Sequence, residues 1–368
     1  MRAMKITFII PQIGITGGVK AIFEIANNLQ QRGHDVSVVY PLIPIDLKMN
    51  WRNLPKLVSK AIHIMTNFKS SACVDWFNLK ANLIKTPTLA QKFIPDADIV
   101  ATTWWKTAYY VANYAPNKGE KFYFIQHYEI WGGPEERVNN TYKLGLHNIV
   151  NSTWLKNILQ EKLGAPVEAV ILHAPDWEQF YPEDVARNDY TVRILMSYRR
   201  IKWKGIADGI KAFEMAREKL PNIQLVMFGE ARGKDVPKYV EFHETPDNSK
   251  LRKIYNSCDI FLFPSHCEGF GMPPMEAMAC RRAVISTNVG GIPDFTIPGE
   301  TALVSPPHSP ELLAENIIRL VEDKGLLRRI SEGGYNQVRN FTWSKATDAL
   351  EEIFNQALAS RRSTEFRK

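Results

Sequence analysis

The chain has 368 residues and a mass of 42.1 kDa, above the ~250–300 residues at which a single hydrophobic core stops growing, so two domains are expected. A hydrophobic fraction of 45% and a charged fraction of 23% exclude a disordered or fibrous chain. The net charge of +7 favours anionic partners (nucleic acid, phosphorylated small molecules, acidic lipid) without choosing among them.

The start, Met1 to Pro11, is a poor signal peptide: Pro11 stops a short apolar run and no small-residue cleavage site follows. No stretch approaches the ~20 apolar residues that cross a bilayer. A soluble chain, or one attached to a membrane surface, is expected. Cys73, Cys258, Cys267 and Cys280 form no CxxC pair and no zinc-spaced Cys/His cluster, which suits reduced, cytosolic thiols.

The first half alternates β-rich runs with helical patterns. Lys5–Pro11 reads as a buried strand, and Val19–Arg32 as a helix with Ile22, Ile25, Ala26 and Leu29 on one face and Gly33 as its stop. Further strands are expected at Asp35–Tyr40, Ile99–Thr102, Phe122–Gln126 and Asn148–Val150, with a helix from Ser152 to about Lys162. Residues 173–190 lose the periodicity; their prolines and acidic residues suit a linker. The alternation then restarts. Strands are expected at Arg193–Tyr198, Ile223–Phe228, Asp259–Phe263 and Ala283–Thr287. Helices are expected at Gly205–Leu220, Ser249–Asn256, Pro273–Ala279, Pro310–Asp323, Leu326–Asn340 and Ser344–Ala359. Strands alternating with helices imply parallel sheets covered on both faces, here in two doubly wound α/β units. Ligands of such sheets bind at the carboxyl ends of the strands, and between two such units the natural site is a cleft.

Three loops carry chemistry. Gly14-Ile15-Thr16-Gly17-Gly18 stands between a strand and a helix N-terminus, where backbone N–H groups can approach an anion. It is not GxGxxG, which makes a nicotinamide site a poor match; it is equally a tight turn. Arg199, Arg200, Lys202 and Lys204 follow a buried strand, where a diphosphate would be met by an arginine fork and a lysine point charge; a basic surface loop is the bland alternative. In Glu268-Gly269-Phe270-Gly271-Met272-Pro273-Pro274-Met275-Glu276, the glycines let the backbone face a ligand. Glu268 suits sugar hydroxyls and Glu276 a ribose diol. A solvated glutamate pair explains poorly why Glu276 sits among Met275, Ala277, Met278 and Ala279.

This arrangement resembles the retaining GT-B glycosyltransferases of the "group 1" family, which includes bacterial α-mannosyltransferases and sucrose synthases. Glu268 and Glu276 fit the family's Glu-x7-Glu, Arg199 and Lys204-Gly205 its Arg-x4-Lys-Gly, Gly17-Gly18 its first loop, and Val289-Gly290-Gly291-Ile292-Pro293 its Val-Gly-Gly-x-Pro turn. The resemblance is strong over about residues 193–343 and looser over 1–170. It implies GT-B architecture, two Rossmann-like domains facing across a cleft. Residues 1–173 would form the acceptor-side domain, 174–190 the linker and 191–343 the donor domain, and 344–368 would hold a helix crossing back to the first domain.

It further implies a nucleotide-sugar donor. Arg199 and Lys204 would grip the diphosphate, Glu276 the ribose and Glu268 the donor sugar. The loop Gly269, Phe270, Gly271, Met272 would contact sugar and phosphate, and Gly17 and Gly18 would complete the donor site. His127, at the end of a first-domain strand, is the residue the family would place near the donor sugar; a structural histidine is the alternative. Tyr128, Trp131, Trp104 and Trp105 are sugar-stacking surfaces or packing. One departure is Tyr198, which stands where the family carries a glycine and would narrow the donor pocket.

The activity so implied is transfer of a sugar, with retention, to a hydroxyl of a glycan or lipid-linked acceptor by front-face substitution. The leaving phosphate itself takes part in deprotonating the acceptor. No cofactor and no metal are implied, for no Asp-x-Asp pair sits at the site. A nucleotide-sugar epimerase or hydrolase of the same architecture and a non-catalytic binding protein are the alternatives. A nucleic-acid partner is not expected, because no helix-turn-helix, RNP or zinc pattern is present. Residues 48–69 carry Lys48, Arg52, Lys56, Lys60 and Lys69 with apolar residues at helical spacing between them. This fits an amphipathic helix on an acidic membrane, hence a cytoplasmic protein peripheral to the plasma membrane's inner face, or a helix packed on its domain.

Overall fold

The computed structural model describes residues 2–43, 45, 74–186 and 190–365. The basic segment 48–69 lies outside these residues. The chain divides into two compact units: Met1–Asn151, Leu155–Ile171 and Ser344–Lys368 form the first, Ser152–Trp154 and Leu172–Trp343 the second.

The first unit holds a sheet of β1 (Lys5–Ile9), β2 (Asp35–Pro41), β3 (Asn82–Thr86), β4 (Ile99–Thr102), β5 (Glu120–Ile125), β6 (His147–Val150) and β7 (Ala169–Val170). All pairs are parallel and the order is β3-β2-β1-β4-β5-β6-β7. Helix α1 (Gly17–Gln31) starts where Thr16 Oγ1 accepts a hydrogen bond from the Val19 N–H, and Gly33 follows its end at φ +90. Helices α2 (Trp105–Ala112) and α3 (Glu135–Thr141) were not legible in the periodicity, and neither was β3. The β3 sequence is half-polar and half-buried; its pairing to β2, not its own pattern, makes it a strand. Helix α4 (Thr153–Asn157) passes into a π-helical turn at Ile158–Lys162, and Gly164 follows at φ +61.

The second unit holds β8 (Val192–Tyr198), β9 (Ile223–Gly229), β10 (Glu241–Glu244), β11 (Ile260–Phe263), β12 (Ala283–Thr287) and β13 (Leu303–Ser305), all parallel, in the order β10-β9-β8-β11-β12-β13. Its helices are α5 (Ile206–Lys219), α6 (Asn248–Asn256), α7 (Met272–Ala279), α8 (Ile292–Phe295), α9 (Pro310–Glu322) and α10 (Lys324–Val338). Side chains alternate between the two faces of the sheet: Ile194 and Met196 enter one apolar cluster, Leu195 the other. Burial on both faces is why Ile-Phe-Leu-Phe of β11 carries no polar residue.

Residues read as a linker pack within this unit. Phe180 is buried against Tyr255, the Glu183 N–H donates to Asn256 Oδ1, and Arg252 pairs with Glu183 at 2.8 Å. Aromatic burial holds a segment that has no periodicity of its own.

Helix α11 (Trp343–Glu365) belongs to the first unit from Ser344 onward. Leu350 and Phe354 are buried, and the Phe354 ring meets Phe122 edge-on at 4.8 Å. Buried Glu351 pairs with Arg32 and, at 2.6 Å, with His34. The helix begins one residue before the expected Ser344, and the Ser344 carbonyl accepts from Arg32 at 2.9 Å. Among the described residues no helix is long and apolar enough to cross a membrane.

Candidate active site

In the second unit the strand order reverses between β8 and β11, so the loops leaving these two strands diverge and open a crevice at their carboxyl ends. The β8 loop carries Arg199 to Gly205 and the β11 loop carries Ser265 to Gly271. Lys204 Nζ meets Glu268 Oε1 at 2.7 Å. Glu268 is buried and Lys204 partly so, which makes this a shielded ion pair.

Glycine makes this approach feasible. Gly205 has φ +62, and a Cβ there would stand 1.9 Å from the Pro264 carbonyl oxygen. A Cβ on Gly290, at φ +54, would likewise stand 1.9 Å from the Glu268 carbonyl oxygen. The Val289-Gly290-Gly291 turn is thus the seat on which the Glu268 loop rests.

Glu276 lies within α7, half-buried, and accepts a hydrogen bond at 3.0 Å from the Tyr255 hydroxyl on α6. Burial, reinforced by the Glu276 charge, pushes the Tyr255 phenol well above its usual range, so it remains a donor. Tyr255, which touches the candidate residue Glu276, is one that sequence reasoning missed; a lone tyrosine in a polar helix carries no motif. Arg199 pairs with Glu230, beyond β9. Phe270 is buried beside the rings of Phe295 and His173. Burial holds His173 neutral, its pKa pushed down to about 3. Cys267 follows His266, and burial pushes its thiol up, with the Glu268 charge adding to the effect, so it is a poor nucleophile.

Tyr198 does not narrow a pocket. Its side chain is buried, packs edge-on against Phe242 and donates to Asp235 at 2.7 Å.

In the first unit the reversal falls between β1 and β4. Gly17 and Gly18 open α1, and Gln126, just past β5, donates from Nε2 to the Gly18 carbonyl at 3.2 Å. A Cβ on Gly18 would stand 3.2 Å from Gln126 Oε1, so the bare glycine admits this contact. His127 follows, half-buried, its Nδ1 3.1 Å from the Tyr128 carbonyl and its ring edge-on to Trp131. Trp105 and Tyr128 are packing residues: both are buried, and the Tyr128 hydroxyl donates to Glu135 at 3.1 Å. Trp131 is 55% exposed. Beneath them Glu129 is buried, accepts from the Trp105 N–H at 2.9 Å, and has its pKa pushed up to about 8 by desolvation.

Residues 178–337 match the model of the glycosyl transferases group 1 family. The group 1 segment contains Arg199, Lys204, Glu268 and Glu276 together with Tyr255. A D-inositol 3-phosphate glycosyltransferase of Streptomyces bingchenggensis is 31% identical over 127 residues, 34% of this chain and 28% of that protein. The chain spans less than half the length of the curated relatives it matches. Two solved structures share the fold over nearly the whole chain. Sucrose-phosphate synthase of Thermosynechococcus elongatus has a TM-score of 0.72 at 17% identity, covering 97% of this chain and 100% of that one. Anabaena HepE in complex with UDP-glucose has a TM-score of 0.70 at 15% identity, covering 96% and 100%. The fold is therefore that of the GT-B glycosyltransferases, an α/β fold of two parallel sheets.

Proposed function

We propose that the protein is a retaining glycosyltransferase that moves a sugar from a nucleoside diphosphate donor to a hydroxyl of a glycan or lipid-linked acceptor. The observation that carries this reading is the Lys204–Glu268 pair at the crevice of a group 1 segment, with Glu276 fixed nearby by Tyr255. HepE, of the same fold, was solved with UDP-glucose, which puts UDP-sugars first among donors to test.

In the proposed reaction the bond between the sugar C1 and the β-phosphate oxygen breaks, and its electron pair goes to that oxygen. Lys204 and Arg199 stabilise the charge that develops there. The acceptor oxygen bonds to C1 on the face the phosphate leaves, and its proton passes to the departing phosphate. Glu268 orients the donor sugar hydroxyls and Glu276 the ribose diol. Backbone groups of Gly269, Phe270, Gly271 and Met272 line the donor. The step draws its charge stabilisation from side chains and calls on no cofactor. We place the protein in the cytoplasm, in keeping with four cysteines that form no CxxC pair in the sequence.

Incubation with labelled UDP-, GDP- and ADP-sugars, with and without glycan and lipid-linked acceptors, tests this reading. Acceptor-dependent loss of donor with the anomeric configuration kept is expected. Acceptor-independent isomerisation or hydrolysis would replace it with an epimerase or hydrolase, and an unaltered donor with a binding protein.

A further inference from the structure

Three potential metal ligands converge from separate elements: Asp208 in the first turn of α5, His266 in the β11 loop and His308 before α9. Their ligand atoms all lie within 4.8 Å of one another. His266 Nε2 is 2.8 Å from Asp208 Oδ2, and the His308 ring stands 3.7 Å from the His266 ring, centroid to centroid. His308 reaches this place from a loop in which it takes φ +60.

We propose that Asp208, His266 and His308 form a binding site for a zinc-class divalent cation. Two imidazole nitrogens and one carboxylate oxygen are a donor set that zinc and its neighbours in the transition series accept, with water completing the shell. Ligand atoms about 2.0–2.2 Å from a tetrahedral ion stand about 3.3–3.6 Å apart. The Asp208–His266 hydrogen bond needs to open by only a fraction of an ångström to reach that spacing. The exposed edge at His308 gives the ion an entry path. The Asp208–His266 bond by itself leaves the third ligand unexplained, whereas an ion between the three accounts for the convergence of all of them. This is not the acidic-pair metal considered from the sequence.

The site has a mechanical consequence. His266 also donates its backbone N–H to the Trp203 carbonyl at 2.7 Å, and Gly205 lies against its ring: a Cβ at Gly205 would stand 3.1 Å from Nε2. An ion held here ties the Glu268 loop to the start of α5, immediately after Lys204. Binding stands apart from the transferase reading; only an effect on turnover rests on it.

The test uses the untagged full chain, stripped with chelator and titrated with Co²⁺. Saturable uptake of a single cobalt, with the visible ligand-field bands of a low-coordinate site and displacement by Zn²⁺, is expected. His308→Ala, on the exposed side, should abolish these bands, and Asp208→Asn should weaken binding at least tenfold. His243→Gln, which alters a histidine outside the cluster, should bind as the wild type does. Zn²⁺ should raise the unfolding midpoint of the wild type and not that of His308→Ala. Failure of the wild type to take up cobalt at ~100 μM, or unchanged cobalt bands in His308→Ala, would overturn the site.

Discussion

Lys204 and Glu268, 64 residues apart in sequence, meet at 2.7 Å where the sheet of the second unit reverses its strand order. The carboxylate is buried and the ammonium partly so. Each therefore sets the position of the other, and the pair ties the β8 loop to the β11 loop.

Removing one partner leaves the other charge without its counter-ion. Lys204→Met should lower stability by about 1–3 kcal/mol by urea unfolding, since a buried acceptor loses its donor. Turnover should fall by ~10²-fold if Lys204 also stabilises the leaving diphosphate. Adding Glu268→Gln to Lys204→Met should cost less stability than the two separate losses sum to. Strict additivity would show that the two side chains are not coupled.

Gly205→Ala meets two obstacles. The backbone conformation at φ +62 disfavours any Cβ, by about 1–2 kcal/mol, and the Pro264 carbonyl stands where that Cβ would go. A loss of more than 2 kcal/mol in unfolding free energy is expected, together with weaker nucleotide binding. Gly145→Ala also has positive φ but meets nothing within 4 Å, so it should show only the smaller, conformational part. Equal losses in both variants would argue against the close approach of the two loops.

Tyr255→Phe removes one hydroxyl and leaves the packing ring. Stability should change by only about 0.5–1.5 kcal/mol. If Glu276 binds the ribose, calorimetry with a nucleoside diphosphate should show a several-fold rise in Kd in Tyr255→Phe and a larger one in Glu276→Gln. A nucleotide that binds Tyr255→Phe as tightly as the wild type would separate this hydroxyl from the site.

Glu129 gives the stability a pH dependence whose sign is fixed by burial. Its carboxyl ionises near 4.5 when unfolded and near 8 when folded, so the folded chain binds the extra proton between these values. The stabilisation is fully present below about pH 4.5 and is lost as pH rises toward about 8. Glu129→Gln should flatten this part of the stability profile and should be relatively more stable than the wild type above pH 8. Parallel profiles for the two proteins would place the proton elsewhere.

The sequence by itself determined the class of the fold. Buried parallel strands read as continuous apolar runs, amphipathic helices carry their period, and glycines mark turns; these signals sit within one element, and β4 and β12 are placed to the residue by them. It also singled out Lys204, Glu268 and Glu276, because their spacing places each beside a strand end or helix start. Only the tertiary structure decided what those side chains touch. Lys204 on Glu268, Tyr255 on Glu276 and Asp208 beside His266 and His308 depend on which strands are neighbours in the sheet, and spacing along the chain does not encode that order. The same reason explains β3 and β10, edge strands whose polar sequences become strands through pairing with β2 and β9. It also explains Tyr198 and Trp105, whose aromatic rings were legible but whose burial was set by neighbours distant in sequence.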